Sequence, residues 1–186
     1  MFDIIFASLA ILVLSPVWLV LCIWIATSSP GGVFFRQKRT GYKGRDFDML
    51  KFRSMYVNCE ADTLQAGVND PRVTPVGRFL RRSSLDELPQ LLNIVKGDMS
   101  IIGPRPHMLK HTEYYAPRIK NYMRRHDMRP GLTGLAQVRG FRGPTPKLED
   151  MQHRVEADLE YIDTFSLDLD LKILTATAWK MITLKL

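Results

Sequence analysis

The sequence predicts an α+β chain, mostly helical with a small β-hairpin and headed by an apolar helix. Three observations carry this reading. Residues 4–26, "IIFASLAILVLSPVWLVLCIWIA", run 23 positions without a charge. A glycine-bounded turn, "TGYKGR", separates two short runs with strand character. Beyond residue 70, helix-start signals and charged amphipathic stretches follow one another with short breaks.

The apolar run comes first. As a helix it extends about 34 Å at 1.5 Å per residue, enough to cross the hydrocarbon core of a bilayer. A signal peptide fits badly, because no basic segment precedes the run and the run is too long. Asp3 is the one charge before it; Arg36, Lys38, Arg39, Lys43, Arg45, Lys51 and Arg53 follow it, against Asp46 and Asp48. That asymmetry places the downstream domain in the cytoplasm and can seat the cluster on anionic headgroups. Ser15-Pro16 falls in the middle of the run, where proline removes a helical hydrogen bond. A kinked span and a re-entrant helix both fit, and the residues alone favour the span.

"TSSPGG" at 27–32 is a linker by composition. Residues 33–37 and 46–55 are the two strands of the hairpin. A short exposed helix is expected at 58–65. Thr74 as N-cap and Pro75 at the first helical position start a helix that runs to about Arg82. A second helix starts near Asp86 and ends near Val95. "MSIIG" is a short buried segment, and "GPRP" at 103–106 is irregular. Residues 107–126 are polar and mostly helical. "RPGLTGLAQVRG" at 129–140 is a glycine-punctuated loop, 149–164 a charged helix, and 167–186 an amphipathic segment with Asp170, Lys172 and Lys180 on its polar face.

Composition narrows the function. The 186 residues suffice for one domain with a real core, and the net charge of +7 suits a phosphate-rich partner: nucleotide, nucleic acid or anionic membrane. Cys22 and Cys59 stand far apart and form no C-x-x-C, which argues against a disulfide framework or structural zinc and for a cytosol-facing chain. His107 and His111 have i, i+4 spacing but no third ligand nearby, and read as solvated surface.

Four constellations could carry chemistry. In "RRSSLDELPQLLN" at 81–93, Ser84-x-x-Glu87 matches a capping box, so the acidic pair has a plain structural reading. Pro89 is easier to place if Asp86 is the N-cap, since it then falls where the N–H is unpaired anyway. Asp86 would then stand at a helix mouth suited to phosphate chemistry, with Arg81 and Arg82 close by in the chain. The second, Arg105 between two prolines, is either part of a tight turn or a rigid phosphate ligand. Third, the 129–140 loop has Gly131, Gly134 and Gly140 with Thr133 and Gln137. Its glycines let backbone N–H groups approach a phosphate, yet it matches neither a P-loop nor G-x-G-x-x-G. Lys51, the fourth, lies on the second strand among apolar neighbours, where an exposed strand face is the plain reading.

The motifs "KFRSM", "RRSSLDELPQLLNIVKGDMSIIGPRP" and "RPGLTGLAQVRG" together resemble the bacterial sugar transferase family, the monotopic polyprenyl-phosphate phosphoglycosyl transferases. The likeness runs from the apolar helix to "FSLDLDLKIL". It implies transfer of sugar-1-phosphate from a UDP-sugar to polyprenyl (undecaprenyl) phosphate with release of UMP, opening the synthesis of a surface glycan such as exopolysaccharide, capsule or lipopolysaccharide. By this resemblance Asp86 is a covalent nucleophile and the Mg2+ ligand, with Glu87 as its partner, and Lys51 and Arg81 join them in catalysis. Arg105, Arg129, Gly131, Thr133, Gln137 and Asp170 fall to substrate binding. The resemblance also implies a re-entrant helix broken at Ser15-Pro16, reversing the preference above. The domains are then 1–26, a re-entrant membrane helix, and 27–186, a catalytic domain on the cytoplasmic face of the inner membrane with an interfacial amphipathic C-terminal segment. Nucleic acid is not an expected partner; a homo-oligomer is compatible. Larger relatives carry extra membrane helices and a further domain, so the chain reads as a small member or as the catalytic part of a large one. "VRGFRGPT" and "MQHRVEADLEYI" look more like the hexose-1-phosphate transferases. The rival reading is a non-catalytic membrane adaptor, which explains the charge and the apolar helix but not the acidic pair or the "GPRP" turn.

Overall fold

The computed structural model describes residues 2–58, 66–67 and 70–183. The helix expected at 58–65 lies outside them except for Asn58, as do Cys59 and residues 184–186. The chain divides into two compact units, one of residues 1–37 and 48–97, the other of residues 38–47 and 98–186. It is mostly helical with little sheet, as the sequence predicts.

In the first unit, α1 (Phe2–Ser28) is helical throughout, Pro16 included. Proline lacks the N–H that would reach the carbonyl of Leu12 four residues back. The hydroxyl of Ser15 donates to that carbonyl instead, at 2.8 Å. The pair at mid-helix therefore carries its own repair, which matters most where water cannot supply the missing donor. Phe6, Leu9, Leu12, Val13, Leu19 and Val20 all face outward. By length and composition α1 could cross a membrane.

The C-terminal half of α1 does pack. Leu21 and Ile25 share a core with Phe52 of β2 (Asp46–Phe52) and with Val76 and Leu80 of α2 (Pro75–Arg82). Each such side chain, once fully buried, contributes about 1.5–3 kcal/mol. Thr74 caps α2 as expected, its hydroxyl accepting from Gly77 N at 2.8 Å. A Cβ on Gly77 would lie 1.8 Å from the carbonyl oxygen of Ser54, so glycine lets α2 rest on the chain that leaves β2. Arg53 corrects an expectation. It is buried, donating to Ser29 O at 2.8 Å, to Ile25 O at 3.4 Å and to Pro30 O, and so caps the C-terminal end of α1 rather than facing headgroups.

β2 forms a hairpin with β1 (Phe34–Thr40) through a short 3-10 turn, Tyr42–Gly44. The tip of the hairpin belongs to the second unit, where β4 (His107–Met108) pairs antiparallel with β1 at Arg39↔Met108 and Thr40↔His107. There β3 (Ser100–Ile102) runs parallel to β5 (Gly131–Thr133). The expected loop at 129–140 thus holds a strand, followed by a short helix, α5 (Leu135–Val138). The helical stretch expected at 107–126 is broken into β4, α4 (Leu109–Tyr115) and a 3-10 turn over Tyr122–Asp127. The long helices α6 (Leu148–Asp163) and α7 (Leu167–Ile182) match their predicted positions. Among the described residues of this unit, small cores gather around Tyr115, Tyr122, Met151 and Val155 and around Ile102, Leu135, Tyr161 and Ile173.

His107 is not solvated surface. It is buried, with Nδ1 2.6 Å from the hydroxyl of Tyr122. Burial, then the charges of Arg125, Arg154, His111 and Arg39, holds its pKa well below the ordinary value. Burial likewise lowers His111, and it lowers His126 to about 4. All three imidazoles are therefore neutral in the fold near neutral pH, whereas the unfolded chain takes up protons near the ordinary pKa of about 6.5. Their stabilisation is complete above that value and is lost as pH falls toward the folded pKa values. The melting temperature is expected to be flat above pH 7 and to decline steadily from pH 6.5 to 4. A melting temperature that holds or rises across that window would contradict the burial of these rings.

Candidate active site

The acidic pair of the first unit sits on a turn that helix-capping rules do not describe. α2 ends at Arg82, and Ser83 closes it by donating both N–H and Oγ to Phe79 O. Ser84 then adopts φ 58°, a left-handed conformation that costs a non-glycine residue roughly 1–2 kcal/mol. The chain re-enters helical geometry as a 3-10 turn over Leu85–Glu87, and α3 (Gln90–Lys96) follows. Asp86 is thus inside the turn and is not the N-cap. Ser84 precedes the turn but makes no side-chain cap, and its buried hydroxyl has no hydrogen-bond partner among the described residues. Residues held in such conformations cluster at functional sites.

Asp86 and Glu87 are each only 7% exposed. Lys51 reaches Glu87 from β2, with Nζ donating to Oε1 at 3.0 Å. Lys51 is thus a half-buried partner of the acidic pair and not part of an exposed strand face. Asn93, fully buried on α3, fixes that approach. Its Oδ1 accepts from Leu50 N at 2.9 Å and its Nδ2 donates to Asp48 O at 2.8 Å. One side-chain amide thereby pairs with β2 as a neighbouring strand would, on both sides of Met49. Sequence reasoning missed Asn93; an amide six residues after the acidic pair was its only signal. Gln90 was missed as well: it is 1% exposed, with a buried Nε2 that has no hydrogen-bond partner among the described residues. Arg81 lies in the last turn of α2 with its side chain exposed.

The second unit holds the other residues singled out. Arg105 is half-buried, and its carbonyl accepts from Arg125 at 2.7 Å. The next carbonyl, that of Pro106, accepts from Arg39 at 3.3 Å. The "GPRP" turn is therefore clamped by two guanidiniums. Gly131 N donates to Pro104 O at 2.9 Å, and a Cβ on Gly131 would stand 2.1 Å from Gly103 N. The close approach that the glycine permits is that of the "GPRP" backbone. Thr133 Oγ1 lies 2.7 Å from Thr177 Oγ1 of α7, and Gln137 Nε2 donates to Leu132 O at 3.0 Å, leaving a buried Oε1 without a hydrogen-bond partner among the described residues. Arg129 is exposed. Tyr161 donates to Asp170 Oδ1 at 2.8 Å, tying α6 to α7. The structure thus joins Lys51 with Glu87 in one unit, and Arg105 with the 129–140 segment in the other.

No group of three or more His, Cys, Asp or Glu that could hold a metal occurs among the described residues. One or two carboxylates such as Asp86 and Glu87 do suit Mg2+, which is commonly held by so few protein ligands together with substrate phosphates.

Comparison with known proteins follows the same line. The model of the bacterial sugar transferase family matches residues 1–184. A UDP-glucose:undecaprenyl-phosphate glucose-1-phosphate transferase of Xanthomonas campestris is 50% identical over 97% of this chain and 38% of its own length. The protein of the same description from Escherichia coli K12 is 52% identical over 96% of this chain and 39% of its own length. The exopolysaccharide production protein PSS of Rhizobium leguminosarum is 42% identical over 98% of this chain and 94% of its own. The chain thus spans about two fifths of the first two relatives.

Asn93→Leu removes both hydrogen bonds to β2 and leaves two backbone groups buried without partners. It is expected to destabilise the protein by about 2–4 kcal/mol, read from thermal unfolding in detergent. A loss under roughly 0.5 kcal/mol, the range of surface substitutions, would remove Asn93 from this role.

Proposed function

The chain belongs to the bacterial sugar transferase family, and from that premise we propose that it moves a sugar-1-phosphate from a UDP-sugar to polyprenyl (undecaprenyl) phosphate. The observation that carries this reading is the buried Asp86-Glu87 pair, set on a strained turn with Lys51 on Glu87. An Asp86 oxygen attacks the phosphorus next to the sugar. The bond from that phosphorus to the bridging oxygen breaks, and UMP leaves with the bond's electron pair. The phosphosugar is then held as an acyl phosphate on Asp86. A phosphate oxygen of the lipid attacks the same phosphorus, Asp86 departs as a carboxylate, and polyprenyl-diphospho-sugar is formed. A carboxylate nucleophile divides one transfer into two displacements and lets two acceptors use one centre in turn.

Phosphoryl transfer depends on charge stabilisation, which Lys51 and Arg81 supply in this reading, while Arg105 is assigned to the donor's phosphates. Arg129, Thr133 and Gln137 are assigned to the donor, and Asp170 to substrate binding beside them. Mg2+ on Asp86, when bound, would neutralise phosphate charge. A hexose is the proposed sugar, in keeping with the glucose in the names of the two transferase relatives. The proposed place is the cytoplasmic face of the inner membrane, with α1 embedded and re-entrant at Ser15-Pro16 and the exposed apolar residues Leu167, Leu171 and Trp179 of α7 at the interface.

Two outcomes test this reading. Asp86→Asn preserves the size of the side chain and its capacity to accept hydrogen bonds. It is expected to leave a folded, membrane-bound protein whose turnover is down by several orders of magnitude, roughly the scale of losing a covalent nucleophile. Wild-type protein given UDP-glucose without lipid should release at most one UMP per chain and retain phosphosugar on the peptide containing Asp86. Near-wild-type turnover by Asp86→Asn would sink the mechanism.

For topology, a single cysteine at residue 2, with Cys22 and Cys59 changed to serine, is expected to resist a membrane-impermeant thiol reagent in intact spheroplasts. It should react once the cells are opened. Labelling of intact spheroplasts would mean that α1 spans. Pro16→Leu should shift the protein toward that pattern, because the helix regains its hydrogen bond without the help of Ser15.

A further inference from the structure

The second unit buries more arginine than its fold uses. Arg125, 1% exposed, is fully engaged: Nε and Nη2 donate to Asp158 Oδ2 at 3.1 and 2.5 Å, and Nη2 also holds Arg105 O. Arg154 lies one helical turn before Asp158 on the same buried face of α6 and is 4% exposed. Its Nη2 donates to Gly143 O at 2.6 Å, but its Nε is buried with no hydrogen-bond partner among the described residues. The carboxylate beside it accepts both its hydrogen bonds from Arg125, on Oδ2.

A second buried donor lies in the same cluster. His107 follows directly on "GPRP" and is 2% exposed. Its Nδ1 meets the hydroxyl of Tyr122, over whose ring Arg125 also lies, and its Nε2 is buried without a hydrogen-bond partner among the described residues. In the tautomer whose Nδ1 accepts from the tyrosine hydroxyl, Nε2 carries the proton and is a donor. The interior around Arg105 thus holds two buried nitrogens, Arg154 Nε and His107 Nε2, without hydrogen-bond partners among the described residues, in strongly cationic surroundings. A buried polar group normally has its partner, and an orphan in a native fold points to something that binds there.

We propose that Arg154 and His107 complete, with Arg105, an oxyanion site for a phosphate group. This rests on the reading that Arg105 meets substrate phosphate. A tetrahedral, multiply charged anion is the ligand class that satisfies a guanidinium edge and an imidazole N–H together. The electrostatics agree. Burial, followed by the neighbouring charges of Arg105 and Arg125, lowers Arg154 to about 10, and a bound dianion would offset that cost. Arg125 and Asp158 are positioning residues in this arrangement, since they hold the Arg105 backbone.

The test uses the full chain in detergent and reads melting temperature against concentration of inorganic pyrophosphate, UMP and farnesyl phosphate. Pyrophosphate is expected to stabilise the wild type saturably. Arg154→Met, close in volume but uncharged, is expected to weaken that effect roughly tenfold or more, the scale of one charge-assisted hydrogen bond. Its ligand-free melting temperature should stay near that of wild type, because relief of like-charge repulsion offsets the lost hydrogen bond to Gly143 O. A structural arginine would behave in the opposite way, and a lower ligand-free melting temperature with unchanged pyrophosphate binding overturns the proposal. If Arg154→Met does not fold, Arg154→Lys keeps the charge, loses the fork, and should show the same weakened binding. Loss of binding in Arg105→Lys with retention in both Arg154 variants sinks the role of Arg154 alone; retention in all three sinks the reading of Arg105 as well. Stabilisation by farnesyl phosphate but not pyrophosphate, lost in Arg154→Met, upholds the site and gives it to the lipid acceptor.

Discussion

Two neighbouring carboxylates cannot stay ionised in a protein interior unless their charge is met there. An isolated buried carboxylate would take a proton instead. Asp86 and Glu87 are both buried, and the local structure of the first unit can be followed outward from that condition. Lys51 meets Glu87 at 3.0 Å. For Lys51 to arrive there, β2 must run beside α3, yet β2 is an edge strand whose free backbone groups face away from β1. Asn93 takes up two of those groups with one amide, which docks the strand and covers an edge that would otherwise invite pairing.

The same strand ties the acidic turn to the apolar helix. Three successive residues do three different jobs. Lys51 meets Glu87, Phe52 enters the core with Leu21 and Ile25 of α1, and Arg53 caps the carbonyls at the end of α1. Leu85 and Leu88, on either side of the acidic pair, pack against that core as well. A shift of α1 is therefore a shift of the floor under Asp86. If α1 lies in a membrane, as proposed, the acidic pair is held at a set height above it by contacts within one unit, with no flexible linker between anchor and site.

Much of this was legible in the sequence, for identifiable reasons. The cap at Thr74-Pro75 was readable because its chemistry is local: one hydroxyl and one ring of fixed φ. The hairpin, α6 and α7 were readable because their periodicity is long enough to register. The start of the second helix was not. The expected N-cap at Asp86 gave way to a left-handed Ser84 and a 3-10 turn, and a serine at positive φ is a product of tertiary packing that no dipeptide rule reveals. The 129–140 segment read as a loop because a three-residue strand is too short to show alternation. Its glycines did signal close approach, but the neighbour is the backbone of Gly103, which lies far away in sequence. His107 read as surface because nothing local says that Tyr122 and Arg125 will enclose it.

The net charge was the least specific clue, and the structure divides it. Arg53, Arg125 and Arg154 are buried, and each donates to backbone carbonyls. Arg39 does the same for Pro106 from a half-buried position. These guanidiniums end a helix, clamp a turn and brace a loop; their long stems and several donors let them satisfy carbonyls that lie outside any helix or strand ladder. What remains exposed in the stretch of chain after α1 is a smaller set, Arg36, Lys38, Lys43 and Arg45, with Asp46 and Asp48 exposed among them. An orientation argument that counts seven cations after the apolar run thus rests in the folded protein on about half of them. The proposed orientation does not suffer from this, because sorting by charge acts on the chain before it folds, when Arg53 and Arg39 are as available as the rest.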